Sequence, residues 1–77
     1  ISLHAADDEK RDALVPVNRR YPLEALATAA EEYVEATHRR VSLEWALIDG
    51  VNDTPDDVVA LARYAHRLRA HVNLIPL

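Results

Sequence analysis

The sequence predicts an α/β fold built from parallel β/α units. Three observations carry this. Short segments with apolar residues at period two alternate with longer segments of helical period. The order reads strand, long connection with a short helix, helix, strand, loop, helix, strand. Helices of this length between strands imply right-handed crossovers and parallel pairing, as in part of a barrel or an open doubly wound sheet. With 77 residues there is room for one small domain. Its core is small, because a short chain buries a smaller share of its surface.

Ile1-Ser2-Leu3-His4 reads as the end of a strand. The connection Ala5–Tyr21 is long for a βα loop, where about 2–6 residues is usual. Asp7–Leu14 is expected to form a short extra helix inside it, with Asp7, Asp8 and Glu9 at its start. Pro22 announces the next helix at its first position. Leu23, Leu26, Ala27, Ala30, Tyr33 and Val34 form its apolar stripe, and it ends near Thr37–His38.

Val41–Ile48 follows as a strand, with Val41, Leu43 and Trp45 on one side and Ser42 and Glu44 on the other. Asp49-Gly50-Val51-Asn52-Asp53 is turn chemistry around the chain's one glycine. Thr54-Pro55-Asp56-Asp57 starts a helix with a cap, a proline and two carboxylates at the positive end of the dipole. Val58, Leu61, Ala62, Ala65 and Leu68 are its expected buried stripe. Arg67, Arg69, His71 and, on the earlier helix, His38 are read as residues favoured at the negative helix ends. His66 lies beside Arg63 and Arg67 on an outer, solvated face. Val72–Leu77 closes the chain as a strand. Both ends look abrupt, so the chain is expected to be an internal fragment without a complete domain boundary in residues 1–77.

Composition excludes several classes. The net charge is −4, which argues against a self-sufficient nucleic-acid binder. There is no cysteine, so no disulfide or thiolate metal site exists within these residues. No apolar run approaches the roughly 20 residues needed to cross a bilayer. No signal peptide is visible. The expectation is a cytoplasmic protein without a membrane partner.

The strand phases place the chemistry. Ile1, Leu3, Val41, Leu43, Trp45, Val72 and Leu74 should face the helices. Ser2, His4, Ser42, Glu44 and Asn73 then share the opposite, inward face. Buried polar groups cost about 1–3 kcal/mol each unless paired, so these residues pair with one another or meet water or a ligand. Ser2 and His4 sit at the carboxyl end of a strand, the face where α/β barrels place their sites. His4 near Asp7 and Asp8 is also compatible with a metal, although no HxH or HExxH spacing supports one. Asn18-Arg19-Arg20 is a small basic stretch: a solvated loop is the simpler account, a phosphate contact the functional one.

Three segments carry a resemblance. They are Ile1-Ser2-Leu3-His4-Ala5 continuing through Asp7-Asp8-Glu9, Arg11-Asp12 and Leu14–Leu23; Leu43–Asp53; and His71–Leu77. In order and spacing the chain resembles the radical S-adenosylmethionine (SAM) adenine-C2 methyltransferases of bacterial ribosomal and transfer RNA. The resemblance implies a fragment of a partial (β/α) radical SAM barrel, in the order β-(short α)-α-β-α-β with parallel strands. It implies a parent enzyme whose reaction is methylation of C2 of adenosine in 23S rRNA and tRNA.

The resemblance further implies that SAM is contacted by the family's SLH segment, here Ser2, Leu3 and His4, with Glu44 and Asn73 as inward-facing neighbours. By its phase Leu3 would act through its backbone. A further SAM-binding asparagine is expected just past Leu77. The family's [4Fe–4S] cluster ligands and its methyl-carrying cysteine would lie outside this chain, which alone should be inactive. The parent is expected to be a monomer whose partners are 23S rRNA and tRNA, with Asn18, Arg19 and Arg20 as candidate RNA contacts. Two other readings compete: a fragment of a metal-dependent hydrolase using His4 and Glu44, and a stand-alone helix–sheet interaction module.

Overall fold

Local capping chemistry sets the helix starts. The computed structural model describes residues 1–77. Helix α1 covers Asp8–Leu14, and the Asp7 side chain accepts from the Lys10 N–H at its start. A 3₁₀ turn, Pro16–Arg19, follows. Helix α2 spans Leu23–Thr37 and helix α3 spans Pro55–Leu68. Strand β1 is Ser42–Leu47 and strand β2 is His71–Pro76, paired in parallel from Ser42 opposite His71 to Leu47 opposite Pro76. This is the α/β order the sequence predicts, with the short helix where it was expected.

The first strand is the main departure. Ile1–His4 makes a single parallel bridge, Ser2 opposite Glu44, and no longer ladder. The Leu3 N–H donates to the Glu44 carbonyl and the Glu44 N–H to the Ile1 carbonyl. At His4 the backbone turns into the left-handed region, φ 61°, and the ladder ends. β1 lies between this segment and β2, and both pairings are parallel, as expected.

The core forms where α2 and α3 cover one face of β1. Leu3, Leu23, Ala27, Ala30, Leu43, Trp45 and Leu68 make one buried cluster. The predicted phase of Leu3, Leu43 and Trp45 is thereby realised. Tyr64 from α3 donates its hydroxyl to the Leu23 carbonyl at 2.7 Å. Burial pushes the Tyr64 pKa up to about 12. Arg67 reaches across to Glu24 and Glu31 of α2, an exposed network of little expected weight.

Several expected positions are corrected. Pro22 is the N-cap of α2, and helical geometry begins at Leu23. His71 opens β2; the end of α3 is capped by Arg69 in the left-handed region. Val58 is 61% exposed, and Ile1, Tyr33, Ala62, Val72 and Leu74 are exposed as well. The helical and strand periods are right, but the sheet ends at β2 and covers only part of α3. Val58, Leu61 and Leu74 therefore line an open recess of about 150 Å³ beside Trp45 and Leu47.

Asp57 ties α1 to α3. Its carboxylate, 7% exposed, accepts from Lys10 Nζ at 2.8 and 3.0 Å. It also accepts from the Thr54 N–H and hydroxyl, while the Asp57 N–H donates to Thr54 Oγ1, completing a capping box. Burial acts to raise its pKa, but Lys10 and Thr54 outweigh this and hold it below the ordinary 3.8. A depressed carboxyl stabilises the fold above its unfolded pKa, and that contribution is lost as pH falls through the folded value. Asp57→Asn is expected to cost about 1–2 kcal/mol near neutral pH. Denaturant melts of both proteins should converge progressively as the pH falls below 3.8.

Candidate functional site

The site is built around a segment that has left its strand. His4, in its left-handed backbone, turns its ring toward β1, and Nδ1 accepts the Ala46 N–H at 2.9 Å. The ring nitrogen thus occupies the acceptor position that a continuing strand would fill with a carbonyl. Because Nδ1 accepts, the ring hydrogen is assigned to Nε2, and that edge is unpaired within the chain.

The Leu3 carbonyl is released from the ladder and accepts from Arg11 Nε at 3.0 Å. Arg11 Nη2 donates to the Ser2 carbonyl at 3.0 Å. On the other side, Asn52 Nδ2 donates to the His4 carbonyl at 2.9 Å and to the Ala46 carbonyl at 2.8 Å. Asn52 Oδ1 accepts the Ile48 N–H at 2.8 Å. Asn52 and Arg11 are both buried. Burial lowers the Arg11 pKa from its ordinary value, though a guanidinium keeps its charge.

Of the predicted polar set, Ser2, Ser42, Glu44 and Asn73 share one side of the sheet, while the His4 ring leaves the row for the Ala46 N–H. Ser2, Glu44 and Asn73 are cross-strand neighbours in one row. The Glu44 carboxylate accepts from Asn73 Nδ2 at 2.7 Å and from the Ser42 hydroxyl at 3.1 Å. These two bonds hold the Glu44 pKa below its usual range, Asn73 contributing most. Ser42 and Asn73 therefore pair internally through Glu44. The Ser2 side chain stands exposed at the edge of the row. The Leu3 side chain is in the core and its N–H is spent on Glu44.

The basic stretch divides. Arg19 and Arg20 are exposed, with the Arg20 guanidinium 5.5 Å from the centre of the Tyr21 ring. Asn18 is 1% exposed. It accepts from Arg11 Nη1 and donates to Asp8 and Asp12, at 2.8, 3.0 and 2.6 Å. Asp8 in turn accepts the Leu23 N–H at 2.9 Å, which with Asn18 lowers its pKa. The expectation of Asn18 as an RNA contact is corrected: its side chain is enclosed and serves Arg11.

Sequence reasoning passed over Arg11 and Asn52. Asn52 carried a faint signal, since Asn in a glycine turn often bonds nearby backbone. Arg11 carried none, because a charged residue on a short helix ordinarily faces water. The chain places no group of three or more His, Asp or Glu side chains so as to hold a metal ion.

No family model matches the chain. Across 99% of its length, its fold matches 22% of a crystal structure of a radical SAM methyltransferase from Sphaerobacter thermophilus, with a TM-score of 0.94 and 54% identity. The chain belongs with the radical SAM methyltransferases. More narrowly, all 77 residues match proteins named probable dual-specificity RNA methyltransferase RlmN: 58% identity to that of Parafrankia sp. and 53% to that of Moorella thermoacetica. The chain spans 20% and 22% of the length of those two relatives. Over its whole length it is similar to one portion of these radical SAM methyltransferases.

Proposed function

We propose that this chain supplies part of the SAM site of a parent enzyme that methylates C2 of adenosine in 23S rRNA and tRNA. The observation that carries the reading is the Ser2–His4 segment, held at the carboxyl end of a strand position beside the Ser2–Glu44–Asn73 row. The donor set suits a zwitterionic nucleoside. Ser2 offers a hydroxyl, His4 an Nε2–H, and Glu44 a carboxylate with spare acceptor capacity. Leu3 anchors the segment in the core, and only the second lone pair of its carbonyl is left for a direct contact.

SAM, together with a [4Fe–4S] cluster in the parent, would supply the radical chemistry. The chain has no cysteine, so the cluster ligands belong to other parts of the parent. The residues described here would orient SAM and hold hydrogen bonds to it. Glu44 and Asn73 take the lesser part, because much of their capacity is spent on each other. Arg19 and Arg20 are the proposed RNA contacts, through phosphate. No helix is long and apolar enough to cross a membrane. By its resemblance to RNA-modifying enzymes, the parent is proposed to be a cytoplasmic monomer.

The test is SAM affinity of the full-length parent. Ser2→Ala and His4→Ala are each expected to weaken SAM binding about tenfold, the usual scale for one lost hydrogen bond to a polar ligand. Equilibrium binding measurements check this. Unchanged affinity in both variants would overturn the site assignment.

A further inference from the structure

We infer that Arg11 and Asn52 are positioning residues for the Ser2–His4 segment. Between them these two buried side chains take all three of its consecutive carbonyls: Arg11 those of Ser2 and Leu3, Asn52 that of His4. The inference rests on the reading of that segment as part of the SAM site, and extends it to residues outside the segment.

In a continuing parallel strand the Leu3 carbonyl would accept the Ala46 N–H, while the Ser2 and His4 carbonyls would face away from β1. Here the ladder ends after one bridge, and two side chains replace it. The segment also holds a left-handed non-glycine residue, which persists only where its surroundings impose it. Asn52 and His4 impose it together. Asn52 bonds the carbonyls of both His4 and Ala46, and the Ala46 N–H bonds the His4 ring. This closed circuit fixes the backbone and the ring of His4 at once. It decides which ring edge remains for a ligand.

Each clamp is itself held. Asn18, braced by Asp8 and Asp12, fixes the third arm of Arg11. The Ile48 N–H fixes the amide of Asn52. Arg11 uses the planar geometry of a guanidinium to span two adjacent carbonyls, which the point charge of a lysine cannot reproduce. An aspartate at position 52 would keep the shape and the bond from Ile48. It would lose both donors, setting a carboxylate against the His4 and Ala46 carbonyls.

The experiment uses the full-length parent carrying Arg11→Lys or Asn52→Asp, with Leu68→Ala as a core variant that takes no part in the clamp hydrogen bonds. Titration calorimetry gives the Kd for SAM and for a tRNA substrate, and thermal melts give Tm. Each clamp variant is expected to raise the SAM Kd about tenfold or more while tRNA affinity stays within about twofold. Leu68→Ala should lower Tm at least as much and leave the SAM Kd unchanged. The two clamps lie on different elements, so if one variant fails to fold the other decides. SAM affinity unchanged in the clamp variants while Ser2→Ala and His4→Ala weaken it overturns the inference alone. Losses that merely track Tm across all variants, Leu68→Ala included, overturn it too. Unchanged affinity in Ser2→Ala and His4→Ala overturns the site reading and this inference with it.

Discussion

Trp45→Ala is expected to destabilise the protein by about 3–5 kcal/mol, the range for removing a buried aromatic side chain. Trp45 is 1% exposed and packs in the cluster that joins Leu3, β1, α2 and α3. Two opposing effects set where the loss falls. The deletion removes the largest apolar surface in the core and leaves a cavity. Yet Trp45 also borders the recess lined by Leu47, Leu61 and Leu74, so neighbours have room to relax inward. The lower half of the range is expected on that ground. Urea melts followed by circular dichroism measure it, since the substitution removes the only tryptophan fluorophore. A loss below about 1 kcal/mol would show that Trp45 is not part of a packed core.

Asn18→Ala should cost nearly as much, about 2–4 kcal/mol, although it deletes little apolar surface. The change strands charge. Arg11 Nη1 loses its acceptor, and Asp8 and Asp12 lose a shared donor. Because Arg11 is buried, water cannot readily replace that partner. Arg19→Ala, one residue on and exposed, should stay within about 0.5 kcal/mol. The same melts compare the two. Equal small losses would refute the assignment of Asn18 as the brace of Arg11.

How much of this was legible in the sequence follows from what periodicity can and cannot report. Period two in Val41–Trp45 gave the face of Leu43 and Trp45, and the Thr54-Pro55 cap gave the start of α3. The polar face was legible for the same reason: phase carries from strand to strand, so Ser2, Glu44 and Asn73 could be aligned before their contacts were seen. The extent of the sheet was not legible. Period assigns a side to Val58 and Leu74 but says nothing about whether another element covers that side. The end of the first strand was hidden as well, because it depends on a histidine ring accepting a backbone hydrogen 42 residues away. Asn18 misled for a related reason. Beside two arginines it reads as surface, and only the fold brings Arg11, Asp8 and Asp12 around it.

The ties on the Ser2–His4 segment differ greatly in how far they reach along the chain. Arg11 holds it across 8 and 9 residues, whereas the His4–Ala46 and Asn52 bonds span 42 and 48. Closing the longer loops costs about 1.5 kcal/mol more in chain entropy by simple scaling. The near tie is thus a local hook that needs only the first twenty or so residues. The far tie requires β1 and its turn to be in place. The Arg11 hook can therefore form before β1 is in place, whereas the His4 ring and carbonyl find their partners only once β1 and its turn have docked.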